Sequence, residues 1–381
     1  MELDLKKLRD EIDEVDQEMV QLFCRRMEIS RQVSAYKVQH GLPVLDADRE
    51  RQKLAQVAGL AGEEMGSYIC TLYNAIFELS RAEQERQMHP QSDTVDAIVH
   101  ALENTPKVFP AQATVACQGT EGAYSALAAE KLFRYPQLSY YDTWEEVFQA
   151  IDRGDCTYGV LPLENSNAGS VTRVYDLMIR YHVRIVRSTR MHIDHQLLAK
   201  PGTELSQVRE IFSHPQAIAQ SQAYLASLGV KVTPCENTAQ AAKMVADSPR
   251  EDVAALASRS CASLYGLCPL ATSVQDNGNN HTRFICISKH TEIYPGADRT
   301  SIMVVTPHRP GALYQVMSRC NALGINLIKL ESRPIPDRDF EFMFYFDLDV
   351  SVYAPEFLQL MGELEHMCEA FRYLGSYSEI V

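Results

Sequence analysis

The chain has 381 residues, 46% hydrophobic and 23% charged, which calls for two or three globular domains and excludes wholesale disorder. A formal net charge of −14 disfavours nucleic-acid and anionic-membrane partners, because no basic face is free to neutralise phosphates. Ten scattered cysteines without a CxxC pair, a charged N-terminal stretch and no apolar run of membrane-spanning length together predict a soluble, cytoplasmic protein with reduced thiols.

Residues 1–87 read as helix throughout. The first helix is predicted from Asp4 to His40, where Gly41 and Pro43 in "HGLP" stop it. At 1.5 Å per residue it would be roughly 50 Å long. Leu8, Ile12, Val15, Met19, Leu22 and Val33 gather on one side of it. A lone copy would leave much of that stripe in water, so the pattern predicts an intertwined helical dimer. Cations in the seam and the lack of a sustained heptad argue against a plain coiled coil.

Those cations are Arg26 and Lys37, in the middle of the stripe and within about 20° of each other. Snorkelling could account for one of them. Two require anions against this face, either from the protein or from a ligand. "PVLDADRER" sets Asp46, Arg49 and Glu50 on one face of a second helix, and a third helix carries Ser80 and Gln84 four apart. So many polar groups do not suit a core; they suit a small dicarboxylate with a hydroxyl. Arg9 lies roughly 25 Å along the axis from Arg26 and would reach the same ligand only from a second chain.

On "LRDEIDEVDQEMVQLFCRRMEIS", Lys37, "PVLDADRER" and "ELSRAEQ", residues 1–87 resemble the all-helical chorismate mutases, which rearrange chorismate to prephenate without a covalent intermediate. The resemblance implies that Arg9 from the partner, Arg26 and Arg49 bind the two carboxylates, with Ser80 assisting. Lys37 and Gln84 would donate to the ether oxygen, and Glu50 and Asp46 would address the ring hydroxyl.

Residues 88–112 turn polar and Pro-punctuated and read as a linker with one short helix. Over 113–292, "ATVACQ", "YGVLPLEN" and "VREIFSHPQ" read as buried strands, each followed by a helical pattern. That alternation predicts an α/β domain with a largely parallel sheet. Gly119 and Gly122 in "QGTEGAYS" could offer backbone N–H groups to an anion, but there is no Walker lysine and no GxGxxG. Glu164, Asn165 and Ser166 end one strand; Ser213, His214 and Gln216 end another; Thr282 and Arg283 in "NNHTRF" begin a third. Ligands of open α/β sheets bind beyond such strand ends. His192 and His195 stand three apart without a thiolate or acid cluster, so a structural role is expected and no metal site. Residues 298–378 read as βαββαβ, a ferredoxin-like sandwich.

With "HTRF" and "ESRP" as the most specific stretches, residues 113–378 resemble the prephenate dehydratases and the ACT regulatory domain that follows them. The whole order is similar to that of the fused chorismate mutase–prephenate dehydratases. The resemblance implies two α/β lobes closing over a cleft, as in periplasmic-binding-protein folds. It also implies loss of carbon dioxide and the ring hydroxyl from prephenate to give phenylpyruvate, with L-phenylalanine as effector. Thr282 would be the central catalytic residue, with Glu164 as an alternative proton donor. Arg283 would hold substrate or Thr282, and Asn165, Ser166, Ser213 and Gln216 would bind carboxylate and hydroxyl groups. Gly311, Ala312 and Leu313 of "GALY" and Glu331, Ser332, Arg333 and Pro334 of "ESRP" would bind the effector. Tyr314 departs from the family's aliphatic residue there and leaves Phe and Tyr both open. No cofactor or metal is implied. Arogenate stays open as the second substrate, and a homodimer and a dimer of dimers both fit. A non-catalytic amino-acid sensor is the rival reading; the intact pocket sets in both segments argue against it.

Overall fold

The computed structural model describes residues 4–88, 91–335, 338 and 341–381. Helix α1 (Leu5–His40) starts at Asp4, whose carboxylate accepts from the Lys6 N–H, and stops at Gly41, which turns left-handed at φ 62°. Helix α2 (Ala47–Met88) begins where Asp46 Oδ1 accepts from the Arg49 N–H at 2.9 Å. It is broken only at Gly62, with φ 76° and ψ 176°, so the second and third predicted helices form one run with a kink. Two helices alone make no closed core: Ile12, Val15, Met19 and Leu22 are 50–64% exposed. Among the described residues no helix is long and apolar enough to cross a membrane.

Helix α3 (Asp93–Asn104) is more than part of a linker. Its Thr94 hydroxyl donates to Glu365 at 2.6 Å, and Ile98 and Ala101 are buried in the core of the C-terminal domain. An amphipathic helix needs a cover for its apolar face, and this one finds it in the C-terminal domain, Glu365 lying 271 residues beyond Thr94.

Next come β1 (Gln112–Gln118), α4 (Tyr124–Leu132), β2 (Tyr135–Tyr141), α5 (Trp144–Arg153), β3 (Tyr158–Asn165), β4 (Gly169–Ser170), α6 (Thr172–Tyr181) and β5 (Arg184–His192). The chain then crosses to a second lobe of β6 (Gln196–Ala199), β7 (Glu210–Ser213), α7 (Pro215–Gln220), α8 (Gln222–Leu228), β8 (Lys231–Pro234), α9 (Thr238–Asp247), β9 (Val253–Ala257), α10 (Arg259–Tyr265) and β10 (Cys268–Ala271). It returns as β11 (His281–Ser288), which inserts antiparallel between β3 and β5. The sheets are therefore mixed rather than largely parallel: a strand coming back from the other lobe enters from the opposite end. Their orders are β16-β5-β11-β3-β1-β2, where β16 is the short strand Glu379–Ile380 and β4 lies beside β3, and β10-β6-β9-β7-β8. Two crossing segments, 193–195 and 272–280, join the lobes.

The last domain is β12 (Arg299–Val305), α11 (Ala312–Ala322), β13 (Asn326–Pro334), β14 (Phe342–Asp349), α12 (Pro355–Met367) and β15 (Ala370–Tyr377), with sheet order β13-β14-β12-β15. This is the expected βαββαβ order. A further short strand, β16 (Glu379–Ile380), leaves it to pair parallel with β5. One face of this sheet packs on the first lobe, Met303, Val305, Tyr345 and Leu374 sharing a core with Leu161 and Ile185. At Gly375 (φ 134°) the backbones approach so closely that a Cβ would lie 2.1 Å from the Ile185 carbonyl oxygen.

Candidate functional site

Two groups of predicted residues assemble. In the first, Arg26 of α1 reaches across to α2, donating from Nη1 to Ser80 Oγ at 2.5 Å while its guanidinium lies 5.7 Å from the Phe77 ring centre. Burial pulls the Arg26 pKa down; Tyr73 and Glu50 oppose that shift. Gln84 is buried and donates to Ser30 Oγ at 3.1 Å, and its Oε1 has no hydrogen-bond partner. Lys37 is half-buried and donates to the Val44 carbonyl at 2.5 Å. Glu50 is paired with Arg81 through both carboxylate oxygens, the Oε2 contact at 2.6 Å. Arg26, Lys37, Glu50, Ser80 and Gln84 thus line the α1–α2 seam as read. Arg49 is exposed, Asp46 is committed to capping α2, and Arg9 is exposed on the distant first turns of α1.

The second group sits where the first lobe's strands end at the crossing segments. Asn165, last residue of β3, donates from Nδ2 to Thr282 Oγ1 at 2.9 Å and to Asn280 Oδ1 at 2.8 Å. Its own Oδ1 accepts from the backbone N–H groups of Asn167 and Ala168 at 3.0 and 2.9 Å. Backbone N–H groups only donate, so the amide cannot be flipped. Thr282 Oγ1 is consequently an acceptor from Asn165, which frees its own O–H to donate elsewhere.

Sequence neighbours of these two residues go to the other face, since strand side chains alternate. Arg283 is buried and donates to Asp347 Oδ2 of β14 at 2.6 Å, with Glu164 at 3.4 Å. Glu164 also meets Lys329 of β13 at 3.3 Å. This corrects two expectations. Arg283 and Glu164 face the C-terminal domain rather than Thr282, and the Glu164 carboxylate is taken up between Arg283 and Lys329.

Other predicted positions have backbone duties. The Ser213 hydroxyl donates to the Leu256 carbonyl at 2.7 Å, fastening β7 to β9. Ser166 donates to the Asn279 carbonyl and accepts from the His281 N–H. Gln216 is exposed in the first turn of α7, and His214 Nδ1 accepts its N–H. The glutamine that enters the site is Gln220, one helical turn later. Its Oε1 meets Asn280 Nδ2 at 3.0 Å and His195 Nε2 at 3.2 Å. The one-turn spacing in "SHPQAIAQ" was its sequence signal; the role of Asn280 had none. His195 is buried in the first of the two crossing segments.

In the last domain Gly311 (φ 81°) precedes α11, with Ala312 buried and Leu313 half-buried. "ESRP" lies in β13 and not in a loop, so its side chains divide between two faces. Glu331 accepts from the Ser170 hydroxyl, and Arg333 donates to Asp176 at 3.1 Å; Ser332 and Pro334 are exposed.

A family model described as prephenate dehydratase matches residues 115–292, and one described as chorismate mutase type II matches residues 8–85. The chain is 33% identical over 312 residues to an arogenate dehydratase/prephenate dehydratase of Arabidopsis thaliana, covering 79% of this chain and 80% of that one. It is 28% identical over 384 residues to the bifunctional chorismate mutase/prephenate dehydratase of Escherichia coli K12, covering 98% and 96%. A prephenate dehydratase from Arthrobacter aurescens, solved in complex with L-Phe, superposes with TM-score 0.63 at 28% identity, covering 70% of this chain and 89% of that one.

Proposed function

The chain belongs to the prephenate dehydratase family, with a type II chorismate mutase domain ahead of it, and from that premise we propose how its residues divide two consecutive reactions. The protein is a bifunctional enzyme of phenylalanine biosynthesis: chorismate is rearranged to prephenate, which then loses carbon dioxide and its ring hydroxyl to give phenylpyruvate. We assign residues 1–87 to the mutase, 113–292 to the dehydratase and 298–378 to an ACT regulatory domain.

The mutase step is pericyclic, so the protein need only hold a compact conformer and stabilise charge as the ether bond breaks. Arg26, backed by Ser80 and Phe77, binds one carboxylate; Lys37 and Gln84 turn their N–H groups to the ether oxygen; Glu50 addresses the ring hydroxyl. Arg9 and Arg49 complete the site when a second copy covers the apolar stripe of α1, because in one chain Arg9 is too far away. The functional unit is therefore a homodimer or a multiple of it.

The dehydratase half rests on one observation, the fixed direction of the Asn165–Thr282 hydrogen bond. A threonine hydroxyl is a weak acid, but one whose oxygen already accepts a hydrogen bond is oriented to donate. Thr282 accordingly donates a hydrogen bond to the departing hydroxyl, which leaves as hydroxide and takes its proton from solvent, while aromatisation of the ring drives loss of carbon dioxide. Asn165 sets that direction, and Ser213, Ser166 and Gln216 shape the strand ends around it.

L-Phenylalanine binds the C-terminal domain at Gly311–Leu313 and Ser332. Strand β13 then carries the signal, since its alternate residues Lys329, Glu331 and Arg333 grip β4 and α6 of the dehydratase. Incubation with chorismate, with and without phenylalanine, tests the reading. Phenylpyruvate that forms and is suppressed by phenylalanine supports it; prephenate accumulating alone removes the dehydratase assignment. Because the Arabidopsis relative's name includes arogenate, arogenate is supplied in parallel. Direct formation of phenylalanine at a higher kcat/KM than that for prephenate would reassign the second substrate.

A further inference from the structure

The polar chain behind Thr282 has one possible direction. Asn165 Oδ1 is pinned by two backbone donors, so its Nδ2 faces Thr282 and Asn280. Asn280 must then turn its oxygen to Asn165 and its Nδ2 to Gln220, at 3.0 Å. Gln220 must answer with Oε1, and the remaining neighbour of that oxygen, His195 Nε2 at 3.2 Å, must carry the hydrogen. One set of orientations satisfies all five groups. The chain also passes between parts of the fold: Asn165 and Thr282 belong to the first lobe, Gln220 to the second, and Asn280 and His195 to the two crossing segments.

His195 is locked in this role. It is 2% exposed, its backbone N–H donates to Gln275 Oε1 at 3.0 Å, and its carbonyl accepts from the Val274 N–H at 3.0 Å. Its Nδ1 is buried without a hydrogen-bond partner, so the ring's one side-chain hydrogen bond is made through Nε2. Asn280 is fully buried, and its carbonyl accepts from the Ile193 N–H at 2.8 Å, tying one crossing segment to the other.

We propose that His195 and Asn280 are positioning residues of the dehydratase, which through Gln220 and Asn165 fix the hydroxyl direction of Thr282 at the junction of the lobes. The proposal rests on the reading of Thr282 as the group that donates to the leaving hydroxyl. Without the His195 donor, Gln220 is free to reverse its amide, which places an N–H against Asn280 Nδ2. Asn165 keeps its orientation but loses the fit of its Asn280 contact, and its side chain shifts against Thr282. Neither residue touches the substrate, so the loss falls on kcat and leaves KM nearly unchanged.

The test uses the full-length protein, with prephenate turnover measured for wild type, His195→Leu, His195→Gln and Asn280→Leu. Chorismate mutase turnover and the melting temperature of the same samples report folding. The expected result is a fall in kcat of roughly ten- to a hundredfold for His195→Leu and Asn280→Leu, with KM within about threefold. His195→Gln, which returns an N–H at the Nε2 position, recovers most of the rate. The proposal is overturned if folded His195→Leu and Asn280→Leu proteins keep kcat within twofold of wild type, or if the loss lies in KM. It is equally overturned if His195→Gln is as slow as His195→Leu. A wild-type protein that leaves prephenate unchanged would remove the dehydratase reading and this proposal with it.

Discussion

Replacing Ile12 by Glu in the apolar stripe of α1 should dissociate the protein and silence the mutase while sparing the dehydratase. Six side chains of that stripe, Leu8, Ile12, Val15, Met19, Leu22 and Val33, are 39–64% exposed in one chain. Full burial of such a side chain contributes about 1.5–3 kcal/mol, so covering the exposed halves contributes about 1 kcal/mol each. That is on the order of 12 kcal/mol for a symmetric pair, set against an association cost of about 4–15 kcal/mol. A carboxylate at position 12 removes one contact per copy and adds several kcal/mol of desolvation per ion. The dimer should weaken by at least about a hundredfold in Kd. Sedimentation velocity and chorismate consumption, read across protein concentration, should fall together, because Arg9 lies roughly 25 Å from Arg26 in its own chain. Mixing inactive Arg9→Ala and Lys37→Ala proteins in equal amounts should restore about a quarter of the wild-type rate. Half the dimers are then mixed, and each has one intact site of two. A monomeric Ile12→Glu protein with full mutase turnover, or no recovery in the mixture, would refute the reasoning.

Three other outcomes follow from particular contacts. Asp347→Leu leaves Arg283 buried with only the longer Glu164 contact, and should cost on the order of 3 kcal/mol in denaturant unfolding; an unchanged midpoint would show the pair to be energetically idle. Gly375→Val puts side-chain atoms where a Cβ already meets the Ile185 carbonyl, so the C-terminal domain should undock, with a fall in melting temperature and a loss of phenylalanine inhibition. Gln84→Glu should make the mutase acid-dependent. A carboxyl in that buried position has a raised pKa and can donate only when protonated, so turnover is retained below that pKa and lost as pH rises through it. A flat pH profile would contradict Gln84 as a donor.

Local pattern was enough to read the ends of α1, the Arg26–Lys37 stripe and the βαββαβ order, because each depends on spacing along a single element. Residues whose partners lie on distant strands were not legible in the same way. Glu164 and Arg283 flank Asn165 and Thr282 in sequence, yet strand alternation turns them to the opposite face, where Asp347 and Lys329 wait. The same alternation divides Glu331 and Arg333 from Ser332. The mixed sheet follows from β11 returning from the second lobe, a topological fact that no hydropathy window records. Asn280, in a polar stretch ahead of β11, gains its meaning only when Asn165 and Gln220 arrive on either side.

Separating the two activities by single substitutions tests the central claim most directly. The full-length Thr282→Val and Lys37→Ala proteins are each given chorismate and, separately, prephenate. The account predicts that Thr282→Val converts chorismate to accumulating prephenate at the wild-type rate and makes no enzymatic phenylpyruvate. Lys37→Ala should leave chorismate untouched yet turn supplied prephenate into phenylpyruvate. Phenylpyruvate formed by Thr282→Val near the wild-type rate, or prephenate formed by Lys37→Ala, would contradict the assignment of two separate sites in this chain.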